Sequence, residues 1–264
     1  MSILSRRGLM SALYGALATA TAALSSLAVA PSLAQGTGAV VPLPAAMAAA
    51  AQQYLPGVVG EPVPAFIIDP GLASLAAGAR TYQIVSGPNA GKTETHVIVA
   101  LPRDATGTEW RYTIGERTAF LRSVPGESLG IASEEDSEQG VLTRYSPPEP
   151  LLIAGMNAGD TRKVKIDVKV YDLDDPADVE HKGTLDLTLT YVGAYKVTVP
   201  AGTFDAALLR WEYKGKVGPA TIEDIQARFV APNVGVVAMA AKRDIAAMLV
   251  YNDHSKIGKV LQQR

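Results

Sequence analysis

Strict two-residue alternation along two segments constrains the fold of this chain more than any other feature. From Arg162 to Tyr171, apolar side chains occupy every even position between Val164 and Val170, and charged side chains occupy the odd positions between them. From Thr184 to Tyr191 the odd positions are apolar and the even positions are polar. Successive side chains of a strand point to opposite faces, so the pattern predicts antiparallel strands with one dry and one solvated face.

Shorter segments of similar character indicate further strands along the chain. They are Thr81–Val85, Glu94–Leu101, Glu109–Ile114, Tyr195–Val199, Ala206–Tyr213, Ile222–Val230, Val234–Ala240 and Met248–Asn252. Strand and helix patterns do not alternate, which disfavours a parallel α/β fold. About ten strands at hairpin spacing predict a mainly β fold, a curved antiparallel sheet that forms a half-barrel or a barrel.

The chain divides by composition into four parts. We predict a signal peptide over 1–34, an Ala/Pro-rich extension over 35–78, an antiparallel β domain over 79–254 and a C-terminal tail over 255–264. Within the extension, Ala45 to Tyr54 favours a short helix, while the surrounding prolines argue against any long regular element. The tail is also interpreted as a short helix.

The first residues have the composition of an export signal. Arg6 and Arg7 are the only charges before Glu61, and the uncharged run after them ends in Ser32-Leu33-Ala34. Small residues at those last and third-last positions predict cleavage after Ala34. An uncleaved anchor is the alternative, because the run is long enough for a membrane span of about 20 residues.

The arginine pair also resembles a twin-arginine export signal. It lies in Ser5-Arg6-Arg7-Gly8-Leu9-Met10, although arginine pairs also occur by chance in ordinary secretory signals. Both routes predict a periplasmic or secreted protein of 264 − 34 = 230 residues without a transmembrane span after signal removal.

The chain has no cysteine, which excludes several classes of site. Structural disulfides, thiol nucleophiles, cysteine-held clusters and a lipoprotein anchor all require one. Removal of two arginines leaves 24 − 2 = 22 basic and 26 acidic residues, a net charge of 22 − 26 = −4. Nucleic-acid binding needs a clustered basic surface, which this composition does not provide. We expect no cofactor, no resident metal and no nucleic-acid partner.

Three motifs resemble catalytic or metal sites without their required context. Gly87 and Gly91 enclose three residues instead of the four of a phosphate-binding loop. Ser128 lies in a Gly-x-Ser-x-Gly pattern, but residues 133–138 after it are interpreted as an acidic loop, where a nucleophile elbow requires a helix. The acidic run at 172–180 has Pro176 in a calcium-ligand position, so it is interpreted as a solvated loop, with a divalent-cation site as the alternative.

Aromatic residues on the predicted strands are the candidate ligand contacts. Trp110 and Tyr112 share one face of their strand, as do Trp211 and Tyr213, and both Tyr191 and Phe229 are expected on the apolar side. A curved sheet with few helices to fill it leaves part of that face for an apolar ligand. The alternative is an ordinary packed core.

Two short motifs resemble a known group of proteins. They are Val199-Pro200-Ala201-Gly202-Thr203-Phe204-Asp205-Ala206 and Ala231-Pro232-Asn233-Val234-Gly235-Val236-Val237. The pair resembles the V-P-A-G-T-F and A-P-x-V-G-x-V segments of periplasmic β-rich proteins of unknown function, which are similar to lipoprotein-carrier half-barrels. Asn233 departs from the usual glycine. The resemblance implies a structural turn, in which Pro200 and Gly202 reverse the chain, Phe204 anchors it and Asp205 caps backbone N–H groups.

These features favour a non-enzymatic binding or envelope-maintenance protein for an apolar ligand such as a lipid or an acyl group. A serine hydrolase that uses Ser128 is one alternative. A structural envelope protein that binds a protein partner and no small ligand is the other.

Overall fold

The structure is a computed structural model that describes residues 38–69, 72, 77–102, 107–124, 129–247 and 251–264. The predicted signal peptide and Ser128 lie outside the described residues. The described elements are one helix, α1 (Ala45–Tyr54), and the strands β1 (Val59–Val63), β2 (Gly78–Ser86), β3 (Thr93–Ala100), β4 (Thr108–Ile114), β5 (Arg117–Ser123), β6 (Leu129–Asp136), β7 (Val141–Pro150), β8 (Thr161–Asp172), β9 (Val179–Val199), β10 (Gly202–Val217), β11 (Ala220–Ala231), β12 (Gly235–Ala247) and β13 (Tyr251–Gln263).

Twelve of these strands form a closed antiparallel barrel. The order runs β9-β10-β11-β12-β13-β2-β3-β4-β5-β6-β7-β8, and β8 pairs back with β9. The 21-residue strand β9 pairs with β8 along its first half and with the extra strand β1 near its end. The predicted mainly β, barrel-like antiparallel fold is therefore confirmed, and closure leaves the twelve barrel strands without an open edge.

Helix α1 has the bounds that its sequence predicts. Seven of its ten residues are alanine or methionine, which have high helix propensity, and Pro44 precedes its first turn. Its C-terminal end lies close to β13. A Cβ atom at Gly258 would be 1.9 Å from the carbonyl oxygen of Tyr54, so only glycine permits this approach.

The prediction of a helix at residues 255–264 is wrong, because β13 extends to Gln263. This strand pairs with β12 on one side and with β2 on the other, and it thereby joins the two halves of the barrel. A strand between two neighbours gains two ladders of hydrogen bonds, which outweigh a weak local preference of the tail for helix.

A plug closes one end of the barrel. The chain between β1 and β2 contacts the connection between β7 and β8: the Ile68 N–H donates to Met156 O at 2.9 Å, and the Gly155 N–H donates to Ile68 O at 2.7 Å. Ile68, Met156 and Leu72 are buried in the inner core. The opposite end, which we call the mouth, carries the turns that connect β2 to β3, β4 to β5 and β6 to β7.

The barrel wall separates two apolar clusters. The inner core lies inside the barrel and contains residues from β3 to β12 and from the plug, such as Val168, Leu187 and Trp211. The outer cluster lies mostly against the outward faces of β9 to β13, where Leu55, Leu208 and Phe229 are buried beneath α1 and β1. The apolar residues of this chain are therefore not confined to one face of the sheet.

Candidate ligand-binding sites

The six aromatic candidates occupy three different environments. Tyr191, Trp211 and Tyr213 are packed in the inner core, and Trp110 is partly buried against that core. Tyr112 lines a cavity at the mouth. Phe229 lines a groove on the outside of the barrel. The structure does not bring the six together around one pocket, and their contact with a ligand stays a prediction.

The three core aromatics have protein partners for their polar atoms. The Trp211 indole N–H donates to Pro150 O at 3.3 Å, and the Arg228 guanidinium lies 4.2 Å from the centre of the ring system. The Tyr213 hydroxyl donates to Glu149 at 2.7 Å. The Tyr191 hydroxyl donates to Phe66 O in the plug at 2.9 Å. Buried tyrosine and tryptophan need such partners, so these contacts have a structural role.

A groove of about 630 Å³ lies between α1 and the outward faces of β10, β11 and β12. Its lining is mostly apolar and includes Leu43, Met47, Leu208, Ala227, Phe229 and Ala240. The groove exists because α1 is rich in alanine, whose methyl groups do not reach across the space between a helix and a sheet. No residue of α1 is fully buried, whereas Leu55 at its end is 2% exposed and anchors it. We call this space the α1 groove.

Two cations border the α1 groove, and each lies beside an acid. Arg210 forms an ion pair with Glu212, and the Lys242 ammonium is 2.7 Å from Asp244. Since these charges are compensated by protein partners, the groove has little electrostatic preference for an anionic or a cationic headgroup. Recognition in this groove would depend on apolar contact.

A second cavity, of about 470 Å³, lies inside the barrel at its mouth. Eight neighbouring strands, from β11 around to β6, supply its walls, and the turn residues Asn89, Glu116 and Glu138 surround its entrance. Ile84, Ile114, Met239 and Ile257 provide apolar wall, and charged side chains provide most of the rest. We call this cavity the mouth chamber.

Hydrogen bonds link four chamber residues into a chain. The Tyr112 hydroxyl contacts His96 Nδ1, and His96 Nε2 lies 2.5 Å from Glu94 Oε1. The Lys259 ammonium donates to the same glutamate at 2.6 Å. Burial by itself would raise the pKa of Glu94, but the hydrogen bond from His96 and the charge of Lys259 outweigh it and lower this pKa to about 2. Glu94 is therefore a stable anion.

Glu134 has the opposite electrostatic environment. It lines the mouth chamber on β6, is 6% exposed, and accepts a hydrogen bond from the Tyr145 hydroxyl at 2.6 Å. Burial, followed by the charge of Glu149, raises its pKa to about 8. Arg117 and Arg243 act in the other direction and do not offset the burial. At neutral pH this carboxyl is mainly protonated.

The interpretation of residues 133–138 as an acidic loop is wrong, because β6 extends to Asp136. Glu134 and Asp136 alternate with outward residues and are buried inside the barrel. Arg117 on the paired strand forms an ion pair with Asp136 at 2.7 Å. The acidic side chains of this segment lie on both faces, so they obscure its two-residue period, in which Glu134 and Asp136 point into the barrel. The cluster was missed because sequence patterns identify an interior by its apolar residues.

The turn residues of the first motif lie around the connection between β9 and β10. Pro200 and Ala201 connect β9 to β10, and Gly202 has φ 133°. Phe204 packs against the outer cluster, and the Arg264 guanidinium lies 4.8 Å from the centre of its ring. The role of Asp205 as a cap of backbone N–H groups stays a prediction from the sequence.

Among the described residues, no three His, Asp or Glu side chains converge to hold a metal ion. The described helix is too short and too weakly apolar to cross a membrane.

No family model matches the chain, and no curated protein matches it. Solved structures similar to it include the hypothetical lipoprotein YmcC from Escherichia coli, with 8% identity and a TM-score of 0.40 over 70% of this chain and 86% of that one. A candidate exported protein with a YmcC-like fold from Bacteroides fragilis has 14% identity and a TM-score of 0.38, and covers 70% of this chain and 93% of that one. A candidate lipoprotein from Parabacteroides distasonis has 13% identity and a TM-score of 0.33 with the same coverage.

Proposed function

We propose that this protein is an exported, non-enzymatic binding protein that holds an apolar ligand, a lipid or an acyl group, in the α1 groove. The observation that supports this most directly is the groove itself. Its volume of about 630 Å³ is within the range of about 300–1,000 Å³ that is usual for ligand pockets. Its lining is predominantly apolar, as such pockets require.

The anchoring of α1 supports entry of a ligand beneath it. Leu55 and the hydrogen bond from Ser86 Oγ to Tyr54 O, at 2.9 Å, fix its C-terminal end to the barrel. Leu43, just before the helix, and Met47, in its first turn, are only partly buried. A long apolar chain would cover the exposed faces of both the helix and the sheet. Burial of each CH₂ group contributes about 0.8 kcal/mol, so a chain of several carbons gains useful affinity without any polar contact.

Of the six aromatic candidates, Phe229 is the proposed ligand contact in this groove. Direct contact of the other five with an apolar ligand stays a prediction from the sequence. Four of them, Trp110, Tyr191, Trp211 and Tyr213, line neither cavity.

A variant that fills the groove tests the proposal. Ala227→Phe places a ring at a lining position of β11, and we expect it to weaken binding of a fluorescent fatty acid at least tenfold. The matched control is Ala79→Phe, which adds the same ring to an exposed outward position of β2 away from the groove. Equal affinity of the two variants, both folded by circular dichroism, would contradict the assignment.

Export is the second part of the proposal, and it rests on the sequence. The chain before Gln35 has the composition of a signal peptide and contains an arginine pair that resembles a twin-arginine export signal. The further divisions of the chain at 78 and 254 stay predictions from composition. N-terminal sequencing of the periplasmic fraction should begin at Gln35. Recovery of an intact Met1 in the membrane pellet would favour the uncleaved anchor instead.

A further inference from the structure

The charges that surround the mouth chamber are unequally compensated. Each of its three cations lies against an acid: Lys259 against Glu94 at 2.6 Å, Arg117 against Asp136 at 2.7 Å and Arg243 against Asp224 at 3.3 Å. Three further glutamates lining the chamber, Glu116, Glu134 and Glu138, form no ion pair with any described residue. The rim glutamates, together with Glu134 once it has lost its proton, make the chamber complementary to a positive charge.

The register of the sheet places Glu134 in a recess. Tyr112 pairs with Ala119, and Ala119 pairs with Glu134, so the three side chains form one row across β4, β5 and β6. Strands are about 4.8 Å apart, which puts the first and third residues of the row about 10 Å apart along the sheet. The methyl group of Ala119 fills little of that distance. The row therefore places the Glu134 carboxyl at the wall of the chamber, next to the smallest side chain of the three.

The surroundings of the Glu134 carboxyl define the ligand further. Ile84, Ile114, Met239 and Ile257 line the same chamber and offer apolar contact. The rim glutamates Glu116 and Glu138 are exposed at the entrance, where they attract cations from solution. A strongly hydrated metal ion would use none of the apolar wall, whereas an organic amine would use both the wall and the carboxylate.

We propose that the mouth chamber is a second binding site, separate from the α1 groove, that takes a small organic ammonium ion with a short apolar tail and pairs it with Glu134. The pair forms inside the barrel, where the effective dielectric constant is lower than in water and an ion pair is stronger than at the surface. The proposal does not depend on the groove, because the two cavities lie on opposite sides of the barrel wall and share only Ala241 among the residues that line them.

Proton release is the signature of this site. Burial raises the pKa of Glu134 to about 8, so the ligand-free carboxyl is mainly protonated at neutral pH and must lose its proton to pair with a cation. Affinity should therefore rise with pH below 8 and level off above it.

The groups that face Glu134 are Tyr145 and Glu149 on β7, Arg117 on β5 and Arg243 on β12. Burial raises the pKa of Tyr145 well above its ordinary value of 10. The charge of Glu149 contributes to the raised pKa of Glu134, so Glu149→Gln should shift the midpoint to lower pH and retain binding.

The test compares three probes of the same size by isothermal titration calorimetry: n-butylammonium, n-butanol and butyrate. We expect the ammonium ion to bind at least tenfold more tightly than the other two, with an affinity that rises nearly tenfold between pH 6.5 and 7.5. Titrations in two buffers of different ionisation enthalpy should show proton release at pH 7. Equal binding of the alcohol, tighter binding of butyrate, or no binding of the ammonium ion would overturn the proposal.

Variants locate the site within the chamber. Glu134→Gln keeps the shape of the side chain and should weaken butylammonium binding at least tenfold at pH 8.5 and abolish proton release. Glu138→Gln, at the rim, is the matched control and should keep the proton release. Wild-type behaviour of a folded Glu134→Gln variant would overturn the assignment to this residue, and the wild-type probe comparison stands if that variant does not fold. Ala227→Phe should leave butylammonium binding unchanged, which separates this test from that of the α1 groove.

Discussion

The α1 groove and the mouth chamber differ in why each is open. In the groove, the alanines of α1 are too small to fill the space above β10 to β12. In the chamber, five of the eight lining strands contribute charged side chains, several of them held in ion pairs that leave room between them. One cavity results from small side chains and the other from polar ones. The two cavities therefore suit different ligands: an apolar chain in the groove outside the barrel, and a small organic cation in the chamber inside it.

The largest expected effect distinguishes the mouth chamber from the groove through the pH dependence of the unfolding free energy. The pKa of Glu134 is about 8 in the folded protein against an ordinary value of 4.5, so its contribution to stability is complete below pH 4.5 and is lost as the pH rises through 8. The shift of 8 − 4.5 = 3.5 corresponds to roughly 5 kcal/mol. Glu134→Gln should remove that part of the decline in urea unfolding measured from pH 5 to 8.5.

The exposed Glu138→Gln is the control for that series and should decline as the wild type does. Glu149 and Asp224 also have raised pKa values through burial, so some slope will persist in every variant. The difference between the wild type and Glu134→Gln is the quantity to measure. A difference that does not change with pH would mean that Glu134 is solvated and that the chamber is not a low-dielectric site.

A somewhat smaller effect is expected from the core between the two cavities. Trp211 is fully buried and stacks on Arg228, so Trp211→Ala should cost about 3–5 kcal/mol in unfolding free energy, as removal of a large core side chain does. Because Trp211 lines neither cavity, fatty-acid affinity should change less than twofold. A folded variant with affinity reduced tenfold would place the apolar ligand inside the barrel, as the aromatic pattern of the sequence predicts.

The smallest effect concerns the length of the ligand. If the α1 groove takes an acyl chain, each added pair of CH₂ groups should contribute about 1.6 kcal/mol, or about 15-fold in Kd, until the groove is full. Replacement of the carboxylate by an alcohol should matter little, because Arg210 and Lys242 already have acidic partners. A series of fatty acids and alcohols measured by competition checks both statements. If affinity depended strongly on the headgroup and not on chain length, the ligand would be held by polar contacts and not by the apolar lining of the α1 groove.

Much of the barrel could be predicted from the sequence because its strands have one apolar and one polar face. Residues 162–171 and 184–191 show this alternation and lie in β8 and β9. The helix at Ala45–Tyr54 was also predictable, since its alanine run favours only one structure. Closure of the barrel was not, because β13 is fixed by pairing with β12 and β2, which lie far away in sequence.

The binding cavities were less predictable than the fold for two physical reasons. The inward faces of β6 and β11 carry Glu134, Asp136 and Arg228, so a pattern that equates the interior with apolar residues assigns them to the surface. The outer cluster around Phe229 has the reverse character, because a face that points out of the barrel is covered by α1. Which face of a strand is buried depends on what packs against it, and that is a property of the whole chain.

Native mass spectrometry of the protein released from its own envelope shows whether the α1 groove holds a lipid or a fatty acid. If the protein is exported, its mature chain begins at Gln35. If the α1 groove holds the ligand, bound lipid or fatty acid is present on the wild type and on Ala79→Phe and is lost from Ala227→Phe. A wild-type protein detected without any bound lipid would contradict lipid binding in the α1 groove. An Ala227→Phe variant that carries as much lipid as the Ala79→Phe control would contradict it as well.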